Sequence, residues 1–283
     1  MLVDWRREPV RRGAEFAFQR GLASLWLPAG GWAGLLVVYF IAGRARAFAQ
    51  YTVPSLLETR FGAAARVFGT LCIIVSSTAI VSYQFRGGGR ILNLAFGIDE
   101  RAGTVILAVF VILFTALAGM SSVAYTDLVI GLLVTAAALV ALPLTFNHIG
   151  GWSALRGALP EAHFTPLGGM SVFEALSYFF PTFTLMIGSQ TSYQKFVSAR
   201  TERDARVSVV GWIFGTIFLE TTIVVLAMVG GMMFRARIES GAMPPWAIIP
   251  YTARHGLVPW LGAIFLGGVF DKLISTGNNW LFS

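Results

Sequence analysis

Long apolar stretches separated by short polar strings make up most of this chain. A helix needs about 20 mostly apolar residues to cross a hydrocarbon core of about 30 Å. Residues 22–43, 67–85, 103–119, 127–146, 173–190, 207–234 and 257–283 meet that rule, so the pattern predicts about seven membrane spans. The first two carry no charged side chain. All are too long for buried strands, and lipid offers irregular backbone no hydrogen-bond partner, so each is expected to be a helix. The apolar run over 102–126 is long enough to hold a turn before Asp127 opens the fourth span.

Glycine and proline punctuate these stretches at Gly30-Gly31, Gly87–Gly89, Pro143, Pro181, Gly230-Gly231 and Gly267-Gly268. Close helix packing through small residues is the simplest use for them. Trp26, Trp32, Trp152, Trp246 and Trp260 mostly fall near span ends, as an interfacial belt requires.

Composition agrees. The 283 residues are 56% hydrophobic and 12% charged, with mean hydropathy +0.71. Soluble domains carry about 25% charge, so the chain belongs in a membrane. The net charge of +7 is spread over short loops without a basic, aromatic-laced stripe, which argues against a nucleic-acid partner. Cys72 lies alone inside an apolar span and allows no internal disulfide. The start of the chain, 1–20, holds five arginines but no cleavage-site pattern, and the remainder, 21–283, forms one transmembrane domain. Charge counting does not orient the bundle. Loops on one side carry eight Lys and Arg, those on the other seven, before the five at the start.

The polar strings carry more information than the spans. They are 51–62 (YTVPSLLETRFG), 83–92 (YQFRGGGRIL), 118–127 (AGMSSVAYTD), Gly150-Gly151-Trp152 followed by Leu159-Pro160, 188–200 (GSQTSYQKFVSAR) and 274–283 (ISTGNNWLFS). In this order and spacing they resemble the sodium/solute symporter family. That family has a Y-T-x-P-x-x-L-E-x-R-F-G loop, a turn ending in T-D, a Q-R-x-x-S-A-K loop and a Ser-Thr pair in a late helix. The resemblance implies an all-α, polytopic helix bundle built as part of a leucine-transporter-like inverted repeat. The spans would be its second to eighth core helices, which makes the chain a fragment of a longer protein. It also implies that loops 44–66 and 191–206 are cytoplasmic.

What the resemblance implies for function is secondary active symport of a small solute by alternating access, driven by sodium, in the cell membrane. No enzyme activity and no cofactor other than the coupling ion are expected. The alternatives are a membrane input domain of a signalling protein, such as a sensor kinase, or an inactive fragment.

Several residues have both a plain use and one implied by the family. Ser275 and Thr276 hydroxyls bond back to carbonyls one turn earlier in many membrane helices. By resemblance they coordinate sodium, a hard cation suited to neutral oxygens, with the carbonyl of Lys272 adding a ligand. Asp127, stabilised by its helix N-terminus in the plain account, takes a part in ion coupling. The family's usual Gln three residues later is Ile130 here. Gln84, Gly87, Gly88, Ser189 and Gln190 are the expected substrate contacts, while Tyr193, Gln194 and Lys195 suit an interfacial anchor. Glu220 and the pair Asp271-Lys272 lie mid-span, where a charge costs roughly 2.5–3.5 kcal/mol. Their similar depth predicts a Glu220–Lys272 pair. The family usually has small or apolar residues at 271 and 272. An ammonium there leaves a sodium-independent or proton-coupled carrier open.

Overall fold

The computed structural model describes residues 13–48 and 52–281, with the backbone alone at 48, 118–124 and 126. Met1–Arg12, Tyr51 at the head of one motif string and Phe282-Ser283 at the end of another lie outside the described residues.

The described residues are helical throughout, in the order α1 (Ala14–Arg20), α2 (Trp26–Phe48), α3 (Val53–Phe61), α4 (Ala63–Phe96), α5 (Glu100–His148), α6 (Gly151–Ala158), α7 (Val172–Ile187), α8 (Gln190–Ser198), α9 (Glu202–Met233), α10 (Arg235–Glu239), α11 (Ile248–His255) and α12 (Pro259–Leu281). Short 3₁₀ turns join α1 to α2 and precede α7 and α11. Loop chemistry fixes where the helices start. Thr52, Asp99, Ser171, Ser189 and Thr201 each accept a hydrogen bond from a backbone N–H in the first turn of α3, α5, α7, α8 and α9. Gly97 closes α4 in the left-handed conformation, φ 72°.

Among the described residues, five stretches are long and apolar enough to cross a membrane: Ala14–Ala47, Ala63–Phe96, Glu100–Leu117, Asp127–His148 and Glu202–Met233. The other two expected spans fall short in different ways. Helix α7 has 16 residues, and α12 has 23 but carries Asp271 and Lys272 at its middle. Large apolar side chains such as Phe68, Leu71, Leu117, Leu132 and Phe214 stand exposed, the signature of a surface that meets lipid.

The turn expected within 102–126 does not form. Helix α5 runs through it for 49 residues, about 73 Å at 1.5 Å per residue, so two spans stand end to end in one helix. Between 118 and 126 there is no proline and one glycine, while Ala118, Met120 and Ala124 favour helix, so nothing local stops propagation.

The helices form two bodies. In one, α2 packs against α7, α8 and α9, with α1 on α9. In the other, α4, α5 and α12 pack mutually and α3 lies on α4. Contacts of α5 with α9, and of α11 with both α9 and α12, join them.

Candidate functional site

Charged and amide side chains meet where α12 packs against α5. The centre is a network between α5 and α12. Asn279 donates from Nδ2 to Asp127 Oδ2 at 3.1 Å and to the Ser275 carbonyl at 2.9 Å, and the same nitrogen lies 3.5 Å from Ser275 Oγ. Beside it Thr115 Oγ1 lies 2.6 Å from Oδ1 of Asn278, a side chain that is 2% exposed. Two adjacent amides inside a membrane helix are tolerable only when satisfied, and α5 supplies a partner to each.

Two of the expected ion ligands, Asp127 and Ser275, stand within this network. Ser275 is buried and shares the Asn279 amide with Asp127. Thr276 Oγ1 donates to the Lys272 carbonyl at 2.7 Å, the back-bond of a hydroxyl in a helix, and its acceptor is the carbonyl expected to serve the ion. The Ser275 and Thr276 hydroxyl oxygens keep unused lone pairs.

Further charges surround the network. Asp271 feels Asp127 and Lys272, Lys195 on α8 feels Asp127 and Lys272, and Glu220 on α9 feels Lys272. The Lys195 side chain is exposed, yet neighbouring protein displaces part of its hydration and pulls its ammonium below the ordinary lysine range. Asp127 opposes that pull and Lys272 adds to it. Lys195 therefore belongs to this polar region as well as to the interface where the sequence placed it.

The expected Glu220–Lys272 pair does not close to ion-pair distance. Glu220 Oε2 instead accepts a 2.6 Å hydrogen bond from the Trp32 indole N–H of α2. An indole on the helix packed against α9 reaches the carboxylate directly, whereas Lys272 belongs to the other body. Trp32 is thus an interhelical donor, not a belt residue. The signal was a tryptophan ten residues inside the uncharged span 22–43, where its N–H needs an acceptor.

The expected substrate contacts divide. Gly87 faces Leu273 of α12, and Gly88 is covered by Leu107 of α5 and Phe270 of α12, so both lie in a packing seam. Gln84 is half-buried on the same helix. Ser189 caps α8 and meets the Thr191 hydroxyl at 2.7 Å. Gln190, 1% exposed, accepts from the backbone N–H of Val53 at 2.7 Å and borders a cavity against α4.

A family model of the sodium:solute symporter family matches residues 13–270. The high-affinity proline transporter PutP of Bacillus subtilis is 32% identical over 178 residues, 57% of this chain and 37% of that protein. The osmoregulated proline transporter OpuE of the same organism is 32% identical over 148 residues, 49% of this chain and 30% of its own. The chain therefore spans about a third of the length of these relatives. A structure described as the substrate-bound, outward-open state of a Na+-coupled sialic acid symporter superposes with a TM-score of 0.79, at 14% identity, over 95% of this chain and 60% of that one. The shared fold is the leucine-transporter-like arrangement. With the family match running through almost every helix described above, the chain is an integral, multi-pass membrane protein that belongs to the sodium:solute symporter family.

Proposed function

We propose that this chain forms the core of a secondary active transporter that couples entry of a small solute to a sodium gradient across the cell membrane. The observation that carries the reading is the Asp127–Asn279–Ser275 network. It gathers a carboxylate, a hydroxyl and a helix carbonyl between two packed helices of a lipid-facing bundle, which is the oxygen-rich donor set a hard monovalent cation takes.

In this reading Ser275 and Thr276 offer hydroxyl oxygens to sodium and Lys272 offers its carbonyl. For the Lys272 carbonyl to turn fully to the ion, Thr276 Oγ1 releases it and presents its own lone pair. Asp127 supplies a full negative charge near the ion, and its bond to Asn279 ties that charge to the same turn of α12 as Ser275. Ion binding thereby reports on the α5–α12 seam, and through α5 on the contact with α9. Rocking of the α2–α7–α9 body against the α4–α5–α12 body would expose the cleft alternately to the two sides. The solute would contact Gln84, Ser189 and Gln190 along that cleft. Relatives named as proline transporters make a small amino acid of that type the first solute to try.

The test is uptake of radiolabelled L-proline into proteoliposomes under an inward sodium gradient. Ser275→Ala combined with Thr276→Ala is expected to raise the sodium concentration for half-maximal uptake at least tenfold. Uptake that is the same with choline in place of sodium would end the sodium reading. If that uptake instead followed a proton gradient, Lys272 would be the residue to examine.

A further inference from the structure

Near the end of α2 and the start of α9, the two helices frame an open cleft of about 450 Å³. Its wall is Tyr39 of α2 with Glu202, Arg203, Arg206, Val207 and Val210 of α9. None of these belongs to the Asp127–Asn279–Ser275 network or to the expected solute contacts. The cleft lies at the end of the bundle that carries loops 44–66 and 191–206. Arg44, Arg46, Arg200, Arg203 and Arg206 share that end with the carboxylates of Glu202 and Asp204.

The arginines of the wall are placed but not paired. The Arg206 guanidinium lies against Gly43 of α2, where an added Cβ would come within 2.6 Å of its Nε. Glycine at 43 thus leaves the room that this side chain occupies. Among the described residues, neither Arg203 nor Arg206 has a hydrogen-bond or ion-pair partner. Arg46, by contrast, gives its Nε–H to the Ala199 carbonyl at 2.7 Å, and Arg66 pairs with Glu58. Glu202 is the one carboxylate on the wall, which keeps a net positive charge. Tyr39 is half-buried and adds a phenol hydroxyl as a further donor.

Apolar surface follows the arginines along α9. Val207, Val210, Phe214 and Ile217 recur at spacings of three, four and three, which puts them on one face of the helix, and all four are exposed. The stripe leads from the cleft into the apolar stretch Glu202–Met233. Leu36 and Phe40, one turn apart on α2, are exposed as well. A free phosphate has no use for such a stripe, whereas a phospholipid uses both the charge and the apolar bed.

We propose that this cleft binds one anionic phospholipid. Arg203 and Arg206 would hold its phosphodiester, because guanidinium forks match pairs of phosphate oxygens. An acyl chain would lie along Val207, Val210, Phe214 and Ile217. Glu202 would accept from a headgroup hydroxyl, which suits a monoanion such as phosphatidylglycerol, and a headgroup of zero net charge would leave the arginines unbalanced. Anionic lipid surfaces attract arginines placed at the edge of a span in the same way. The site does not depend on the symport reading, and it would brace the α2–α9 seam whatever the central network carries.

The test is native mass spectrometry of the purified chain in detergent, titrated with dioleoyl phosphatidylglycerol. One adduct is expected, with half-saturation at least tenfold below that for dioleoyl phosphatidylcholine. Glycerol 3-phosphate, which has the anion without the chains, is expected to bind at least tenfold more weakly than the anionic lipid. Arg203→Gln combined with Arg206→Gln should raise half-saturation by phosphatidylglycerol at least tenfold. Arg86→Gln combined with Arg101→Gln removes the same charge at the far end of α4 and the start of α5, and should change it less than twofold.

Equal binding of the two lipids, or glycerol 3-phosphate binding as tightly as the lipid, would overturn the proposal. So would an equal loss from both arginine pairs, which would reduce the effect to net charge. Gly43→Ala keeps every charge and displaces a flexible side chain rather than backbone, so the fold should persist. By moving the Arg206 guanidinium it is expected to raise half-saturation about threefold, and unchanged binding would also sink the site.

Discussion

The seam between α2 and α7 and the seam between α5 and α12 solve one problem by opposite means. In the first, Gly30 and Gly34 let the helices touch. A side chain at Gly30 would run into the Phe179 carbonyl, and one at Gly34 would come within 2.8 Å of the Phe183 carbonyl. A hydrogen bond from Thr182 Oγ1 to the Leu27 carbonyl, at 2.6 Å, crosses that seam near Gly30. In the second, the Asp127–Asn279–Ser275 network and a separate Thr115–Asn278 bond place polar contacts between helices that lipid would otherwise hold by packing alone. Lipid gives no hydrophobic drive to helix association, so close approach and polar bonds are the two available adhesives. A seam of glycines has one good geometry. A seam of side-chain oxygens and amides can exchange partners, and that capacity suits an ion site.

The largest break in this comparison should come from Gly30→Leu. The new side chain meets backbone, which cannot swing aside, so α2 must leave α7 at a cost of about 3 kcal/mol or more. Loss of the monodisperse peak in detergent chromatography is the expected result, and a normal peak would show that the seam yields. Next comes Asn279→Leu, which strips Asp127 of a partner and should cost about 2–3 kcal/mol. A double-mutant cycle with Asp127→Leu, read by thermal unfolding in detergent, should return a coupling of at least about 0.5 kcal/mol. Zero coupling would mean that the network is not a unit.

Trp32→Phe tests the donor that links α2 to α9 and should cost about 1 kcal/mol. Glu220→Gln keeps an acceptor oxygen and should cost less. The reverse order would make the carboxylate charge, rather than the bond, the important feature. Thr182→Val removes the bond near Gly30. Its expected cost is about 0.6 kcal/mol, the average for such bonds in a membrane, since glycine packing remains.

The smallest effect is predicted at His255, outside the spans. Its imidazole is held below its ordinary value by partial burial, then by Arg254 and Arg237. The folded chain therefore takes up a proton less readily than the unfolded one. Stability falls as pH drops from the unfolded value of about 6.5 toward the lower folded value. His255→Gln should flatten that acid limb of the melting temperature, and an unchanged limb would place its cause elsewhere.

Much of this architecture was legible in order of residues alone. Spans at 22–43, 67–85 and 207–234 appear as helices close to where hydropathy put them, because in lipid the backbone of a long apolar run has helix as its only outlet. Caps at Thr52 and Ser189 fall in the polar strings for a similarly local reason. The turn expected within 102–126 was not legible, since hydropathy marks where a span ends in polarity but not whether the backbone bends there. Partners were the least legible of all. Glu220 and Lys272 share a depth, yet depth says nothing of azimuth, and the indole of Trp32 lay on the side Glu220 faces.

The sequence by itself determined that the chain lives in a bilayer, is helical, and carries unusual polar groups at Asp127, Glu220, Lys272 and Ser275 to Asn279. Period, length and the cost of buried polarity are properties of neighbours along the chain. Only the tertiary structure decided that Asn279 meets Asp127, that Gly88 packs against Leu107, and that Gln190 and Ser77 border one cavity. Those facts depend on the rotation of each helix about its axis, which is set by the summed fit of residues far apart in sequence.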